Sequence, residues 1–367
     1  MNEVTEADRE FMTSALMLAA RNLGDTWPNP SVGCVIVKAG KVVGRGWTCS
    51  GGRPHAEMEA LQRAGNLAQG ADVYVTLEPC SHRGQSPPCA DALISAGVAR
   101  VVVATIDRDP RVSGRGLEKL KDAGIAVKTM VCEPEANRIN AGFFLNLDHN
   151  RPFFTLKTAS TLDGRIALSS GESQWITGIR ARAAVHGLRA RYDAILVGSG
   201  TVLNDDPELT CRIPGYRGRP KVRIILDRRG RTPKDSKIAV TAQEIPTWLI
   251  TARGSNCKIL EAQGIEIISV LANSDVEFII NVSSELAKRG ITRVIVEGGG
   301  GISASFLKAD FIDEIVWFRA GSLIGVDGVS AVGPLSLERM TDIPAFKHRE
   351  SLVFGDDRLD ILDRARD

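Results

Sequence analysis

The chain carries no excess of either charge: 46 Lys and Arg against 44 Asp and Glu leave a formal +2, and no long basic run breaks the balance. A broad nucleic-acid footprint is therefore not indicated, although one small phosphate needs only a few arginines or lysines. No stretch approaches the roughly 18 apolar residues that a membrane helix requires. The N-terminal MNEVTEADRE is acidic where a signal peptide is basic and then apolar. Cysteine is sparse and patternless, seven in all without a disulfide framework, which fits a reducing cytoplasm. Tandem repeats, low-complexity segments and the G-x-G-x-x-G dinucleotide fingerprint are all missing. What remains is a globular chain of 367 residues, 43% hydrophobic. That is enough for ordinary cores in about two to three domains.

Histidine is rare too, at five, yet one of the five is placed for chemistry. His55-Ala56-Glu57 is followed by Pro79-Cys80 and, after eight intervening residues, by Cys89. One imidazole and two thiolates can hold a zinc ion and leave its fourth tetrahedral position open for water, the mark of a catalytic site. Glu57, two residues from a ligating His, reaches that water without binding the metal. H-x-E followed by P-C-x-x-C is the signature of zinc nucleobase deaminases, and here its second half is stretched to C-x8-C. A structural zinc site recruits a fourth Cys or His. His82 is the sole neighbour of that kind, since His149, His186 and His348 lie far along the chain. A Cys80–Cys89 disulfide is the other plain alternative, and the adjoining His-x-Glu argues against it. Cys34, inside an apolar run, reads as a buried core thiol. Cys49, Cys132, Cys211 and Cys257 show no partner pattern.

Hydrophobic periodicity predicts a first helix over 5–21, with Thr5 and Asp8 as a capping pair, then a hairpin of 32–37 and 41–47. Helices beginning near His55 and Cys89, strands at 73–77, 100–105 and 125–130, and a helix at 117–123 complete an alternating α/β unit. The candidate ligands thus fall at helix starts and a strand end, and a helix N-terminus favours the thiolate that binds zinc. The polar stretch 133–150 separates this unit from a second, so the boundary is placed near residue 148, giving domains 1–148 and 149–367. The second unit alternates again: strands at 153–158, 194–197, 222–226, 247–251, 265–270 and 293–296, and helices around 180–191 and up to 289. The charged tail 359–367 is expected to fray.

In the second unit the strand ending at Val296 runs into Glu297 and four glycines, Gly298 to Gly301, before a helix. Such a run lets a ligand approach the backbone and turns amide N–H groups toward it, a common way to hold phosphates; a tight turn alone needs one or two glycines. Polar clusters Lys157-Thr158-Ala159, Asp163-Gly164-Arg165, Gln174-Trp175-Ile176-Thr177-Gly178 and the block 198–207 each follow or end an apolar run. Polar residues gathered at strand ends are how α/β domains build a ligand crevice.

These residues resemble the bifunctional riboflavin-biosynthesis deaminase/reductase family over essentially the whole length. The first half carries Asn29-Pro30-Ser31-Val32-Gly33, Pro54-His55-Ala56-Glu57, and Leu77-Glu78-Pro79-Cys80-Ser81-His82 running to Pro87-Pro88-Cys89. The second carries Lys157 to Ala159, Leu162-Asp163-Gly164-Arg165, Trp175 to Gly178, the 198–207 block and Glu297 to Gly301. The resemblance implies an α/β architecture: an N-terminal cytidine-deaminase-like three-layer α/β/α domain and a C-terminal dihydrofolate-reductase-like α/β domain. It implies small-molecule phosphoribosylaminopyrimidine substrates, Zn²⁺ and NADPH as cofactors, and a cytoplasmic homo-oligomer, dimer or tetramer. The two steps are zinc-dependent hydrolytic loss of the ring 2-amino group and NADPH-dependent reduction of the ribosyl to a ribityl chain.

Residue by residue, the resemblance makes His55, Cys80 and Cys89 the zinc ligands, Glu57 the proton shuttle and Asn29 a substrate contact. It lines the NADPH site with Ala159, Trp175, Thr201, Asp205, Gly299, Gly300, Gly301, Ile302, Ser303, Ala304 and Ser305. It turns Ser173, Arg189, Leu209, Arg212 and Glu297 to the second substrate, the arginines as phosphate clamps; Arg189 also reads as a solvated helix residue. Lys157 and Asp205 stand at strand ends as candidate proton donors. Two positions depart from the family pattern. Thr48 stands where His often follows the aromatic residue, and Gln85 where a Lys or Arg usually stands; Arg53, His82 and Arg83 are the alternative cations. The competing readings are a deaminase of nucleic acid or of another nucleobase, which the spacing, charge and second motif set oppose, and a zinc- or ligand-binding protein that has lost catalysis. Glu57 opposes the latter, since a structural site has no use for it.

Overall fold

The computed structural model describes residues 4–81, 87–252 and 257–365, and the chain divides into two compact units, Met1–Asn150 and Arg151–Asp367. In the first, α1 (Glu6–Arg21) precedes the hairpin of β1 (Gly33–Lys38) and β2 (Lys41–Trp47). Then come α2 (Ala56–Ala64), β3 (Asp72–Val75), α3 (Cys89–Ser95), β4 (Arg100–Val103), α4 (Arg115–Asp122), β5 (Ala126–Lys128), α5 (Glu133–Ile139) and α6 (Ala141–His149). The capping box at the start of α1 is formed: the Asp8 amide donates to Thr5 Oγ1 (3.1 Å) and the Thr5 amide to Asp8 Oδ2 (3.2 Å).

The strands order as β2-β1-β3-β4-β5, with β1 antiparallel to both neighbours and the other pairings parallel. Alternation along β1 sends Val35 and Val37 to one face, with Met12 and Ala15 of α1 and Ala136 of α5. Cys34 and Ile36 go to the other, with Ala56 and Ala60 of α2, Leu93, Leu120 and Phe144. Helices on both faces of one sheet make the three-layer α/β/α unit, and Cys34 is the core thiol its apolar run implied. α2 lies hard on the sheet because β2 offers no side chain there: a Cβ on Gly46 would collide with the Ala56 carbonyl. That contact fixes the first turn of α2, where His55 is the N-cap.

The stretch 133–150 is not a bare linker. It forms α5 and α6 of the first unit, with Phe144 in the core and Asn140 bridging to Ser31 (Ser31 N–H to Oδ1 2.9 Å, Nδ2 to Ser31 O 3.1 Å). Its polarity hid the helices because α5 buries only Ala136.

The second unit runs β6 (Phe153–Ser160), β7 (Arg165–Ala167), α7 (Ile179–Ala190), β8 (Ala194–Gly198), α8 (Ser199–Asp205), β9 (Val222–Leu226), α9 (Lys237–Val240) and β10 (Thr247–Ala252). It continues with α10 (Lys258–Ala262), β11 (Glu266–Val270), α11 (Asp275–Lys288), β12 (Arg293–Val296), α12 (Gly300–Lys308), β13 (Glu314–Arg319), β14 (Val329–Ser330), β15 (Phe346–Phe354) and β16 (Asp357–Arg364). Nine strands form one sheet, β11-β10-β9-β8-β12-β6-β13-β16-β15, parallel from β11 to β13 and antiparallel at its last two strands. β8, β9 and β12 are buried along their whole length and, apart from Arg223 and Arg293, are apolar, as central parallel strands are.

The C-terminal tail does not fray up to Arg364. It is β16, paired with β13 and β15, and Leu359 is buried with Val316 and Phe318. Its apolar residues Leu359, Ile361 and Leu362 are interspersed with charge, which obscured the strand.

Candidate active sites

In the first unit the N-cap of α2, the loop after β3 and the first residue of α3 converge. His55 Nδ1 lies 3.3 Å from Cys89 Sγ and 3.7 Å from Cys80 Sγ, and the three candidate donor atoms all fall within 4.8 Å of one another. A tetrahedral zinc with Zn–N near 2.05 Å and Zn–S near 2.3 Å needs N···S edges of about 3.5 Å. The donor set therefore fits the ion. The Cys89 amide donates to Cys80 Sγ (3.3 Å). Hydrogen bonding from the Cys89 thiol, helped by His55, brings the Cys80 thiol down to about 4, so the thiolate form is favoured before any metal arrives. All seven cysteines are free thiols, so the Cys80–Cys89 disulfide alternative is not adopted.

Glu57, in the first turn of α2, is 4% exposed. Burial raises its carboxyl to about 7, against the pull of His55. A dication in the nest draws such a group back toward its ionised form. A carboxyl poised near neutrality suits a group that must both take and give a proton.

His55, Cys80 and Glu57 line a pocket of about 310 Å³ together with Asn29, Thr48, Gly52, Arg53, Glu78, Asp107, Asp109, Arg111 and Phe143. Asn29 donates to the Gly51 carbonyl (3.3 Å), and Gly52, at φ +90°, has no room for a Cβ because the Asn29 amide fills the space. Thr48, at the departure from the family pattern, turns its hydroxyl to the Val32 backbone: the Val32 amide donates to Oγ1 at 2.9 Å. His82, Arg83 and Gln85 lie outside the described residues.

Asp107, Asp109 and Arg111 were not singled out from sequence; a polar run following β4 was the signal available. Glu78 organises their turn, its carboxylate accepting the amides of Asp107 (3.3 Å), Gly114 (3.0 Å) and Gly116 (2.9 Å). Burial, against the Asp109 amide, pushes the Asp107 carboxyl up to about 6.

In the second unit the ends of β8, β9 and β12 open a cleft of about 380 Å³ lined by Gly198, Ser199, Gly200, Arg228, Arg229, Arg231, Asp275, Phe278, Gly301, Ile302 and Ser305. A Cβ on Gly200 or Gly301 would meet no atom and project into open space, whereas one on Gly198 or Gly298 would strike Ile302 at 2.6 Å. Two glycines thus seat Ile302 and two leave backbone open, a cradle suited to a dinucleotide's phosphates, with three arginines at its rim. The chain therefore fits NADPH here.

Of the expected cofactor residues, Gly301, Ile302 and Ser305 line this cleft. Ser303 and Ala304 do not: their side chains are buried on the inner face of α12. Gly300 abuts the Ser330 carbonyl, Gly299 is the helix N-cap, and Thr201 and Asp205 ride on α8, where Asp205 is exposed. Ala159 packs on β6 against the Val316–Phe318 cluster. Trp175 is 67% exposed with the Arg182 guanidinium 4.3 Å over its ring. The sequence reading missed Arg228, Arg229 and Arg231, although a basic cluster right after a strand marks them.

The expected substrate residues separate in the same way. Arg189 is not solvated. Its Nε and Nη2 grip Glu297 at 2.7 and 2.9 Å, and Nη1 donates to the Thr210 carbonyl (2.8 Å). Burial alone would raise the Glu297 carboxyl, but Arg189 and Lys157 hold it at about 2. Lys157 Nζ is 3.9 Å from Glu297, and burial pulls its ammonium down. The Leu209 side chain, at φ +50°, is in the core with Tyr192 and Ile225, which leaves only its backbone for a ligand. Arg212 is exposed and paired with Glu208 (2.7 Å), and Ser173 is half-buried.

Family models match both units: the "Cytidine and deoxycytidylate deaminase zinc-binding region" over residues 5–105 and the "RibD C-terminal domain" over residues 152–359. The chain is 42% identical to the riboflavin biosynthesis protein RibD of Aquifex aeolicus over 96% of this chain and 98% of that one. To the Escherichia coli RibD it is 40% identical over 95% and 97%. Among solved structures, Acinetobacter baumannii RibD superposes with a TM-score of 0.89 at 37% identity, covering 98% and 99% of the two chains. A Thermotoga maritima structure described as a diaminohydroxyphosphoribosylaminopyrimidine deaminase/5-amino-6-(5-phosphoribosylamino)uracil reductase gives 0.85 at 35%, covering 98% and 99%.

Proposed function

This chain belongs to the RibD family of bifunctional riboflavin-biosynthesis enzymes, and from that premise we propose which residues carry each of its two reactions. The first is hydrolytic deamination of 2,5-diamino-6-(5-phosphoribosylamino)pyrimidin-4-one; the second is reduction of its ribosyl side chain to ribityl. The observation that carries the reading is the convergence of His55 Nδ1, Cys80 Sγ and Cys89 Sγ beside the buried Glu57.

His55, Cys80 and Cys89 hold zinc, whose Lewis acidity makes water a nucleophile near neutral pH. Glu57 would take a proton from that water and pass it to a ring nitrogen as the amino-bearing carbon is attacked, then take the second proton from the hydroxyl now on that carbon and deliver it to the departing amine. One carboxylate serves as base and then acid. Asn29 fixes the ring against the Gly51–Gly52 turn.

In the second unit NADPH supplies the hydride. The cleft at Gly200, Gly301 and Ser305 holds it, and the family motifs alone assign Ala159, Trp175, Thr201 and Asp205 to the same cofactor. Glu297, Arg189, Ser173, Arg212 and the Leu209 backbone bind the substrate and exclude water around its sugar. Lys157, buried beside Glu297, is placed to hold and release a proton; the exposed Asp205 is not. Seven free thiols support a cytoplasmic setting.

The test follows ammonia release and NADPH oxidation in parallel on zinc-loaded protein. Reduction without ammonia release from the unmutated chain would remove the deaminase half of the reading. Deamination of single-stranded DNA or RNA in place of the small substrate would favour the nucleic-acid alternative.

A further inference from the structure

His55, Cys80 and Glu57 line one pocket, and the substrate read for it carries a phosphate on the sugar that must point away from the metal ligands. Among the described lining residues, the cations apart from the His55 ligand are Arg53 and Arg111. Arg53 lies two residues before His55 and lines the same pocket. Arg111 stands at the mouth, its side chain 73% exposed.

Exposure usually means a wandering side chain, yet this one is held. Its Nε lies 3.0 and 3.1 Å from the two Asp109 oxygens, and its Nη2 lies 2.5 Å from Oδ2. Asp109 is itself nine-tenths buried and locked, with Oδ1 accepting the Arg111 amide at 2.9 Å and its carbonyl accepting the amides of Val112 and Ser113. The Glu78 carboxylate then ties the same turn to the segment that carries Cys80. The position of this guanidinium is thereby set relative to the metal ligands. Its Nη1 has no partner among the described residues, so one edge is oriented by Asp109 and the other is open to an anion.

We propose that Arg111, oriented by Asp109, binds the substrate's phosphomonoester at the mouth of the deaminase pocket together with Arg53, and so selects phosphorylated over unphosphorylated ribosides. The fork geometry suits a phosphate better than a lysine would. The proposal rests on the deaminase reading above.

The experiment measures ammonia release by the full-length zinc-loaded protein from the phosphoribosyl substrate and from its dephosphorylated riboside, with ribose 5-phosphate as a competing inhibitor. For Arg111→Gln the KM for the phosphorylated substrate should rise about 10- to 100-fold, and inhibition by ribose 5-phosphate should weaken by a similar factor. The riboside's kcat/KM should move by less than about twofold, and Arg111→Lys should recover part of the loss. Asp109→Asn should raise the same KM with the arginine still present. An unchanged KM in Arg111→Gln, or an equal fall for both substrates, would overturn the proposal. If the unmutated protein releases no ammonia from either compound, the deaminase reading fails first and takes the proposal with it.

Discussion

Arg189 and Glu297, 108 residues apart in the chain, are locked by two parallel contacts of 2.7 and 2.9 Å, with side chains 12% and 8% exposed. Removing one partner leaves a buried charge uncompensated, which costs about 3–5 kcal/mol. Arg189→Ala should therefore lower the denaturant midpoint of the second unit and abolish NADPH oxidation on deaminated substrate, with ammonia release retained. A midpoint shift worth under about 1 kcal/mol would show the pair to be solvated after all.

Glu57→Gln keeps the shape of the side chain and loses its proton chemistry. Ammonia release should fall by about 10²-fold or more, with zinc content per chain unchanged and NADPH still consumed when deaminated intermediate is supplied. Loss of the metal in this variant would make Glu57 a structural support of the site.

Chelation should separate the two activities. Removing zinc, or replacing Cys80 or Cys89 by Ser, should abolish deamination and leave reduction of the intermediate intact, because the second cleft contains none of the three donors. Metal analysis should return about one zinc per chain in the native protein and markedly less in either variant. Equal loss of both activities would contradict this separation.

Two neighbouring glycines make opposite predictions. At Gly301 an added side chain meets nothing and enters the cleft, so Gly301→Leu should raise the KM for NADPH at least about tenfold with the fold intact. At Gly300 even a Cβ comes within 2.5 Å of the Ser330 carbonyl, so Gly300→Ala should destabilise the second unit. If Gly301→Leu left NADPH binding unchanged, the cleft would not be the cofactor site.

Asp8 gives a pH dependence. Burial pushes its carboxyl up, but Lys128, the Thr5 amide and Arg100 outweigh that and hold it well below the usual carboxylate range. With the folded pKa below the unfolded value near 3.9, the contribution is full above that value and is lost as pH falls through the folded one. Asp8→Asn should be less stable than the parent at pH 7, and the gap in urea midpoint should narrow as the pH is lowered toward 2. A gap that stayed constant with pH would remove the titration of Asp8 from the account.

Much of this protein is legible locally. The strands 222–226 and 293–296 and the helix starts at His55 and Cys89 follow from apolar runs, glycines and prolines, and the H-x-E…P-C pattern names its chemistry from residue type alone. Among the elements that escaped, two have surroundings that outvote their composition. α5 buries a single alanine, and β16 intersperses three apolar residues with charge.

The amino-acid order by itself picked out the candidate zinc donors and two α/β units in one chain, because ligand type and hydrophobic period are properties of short segments. Only the tertiary structure decided which polar residues meet. Arg189 became the partner of Glu297, Leu209 turned into the core, and Arg228 to Arg231 arrived at a glycine cradle. Those outcomes depend on strand order and on contacts between residues tens of positions apart, which no local pattern encodes.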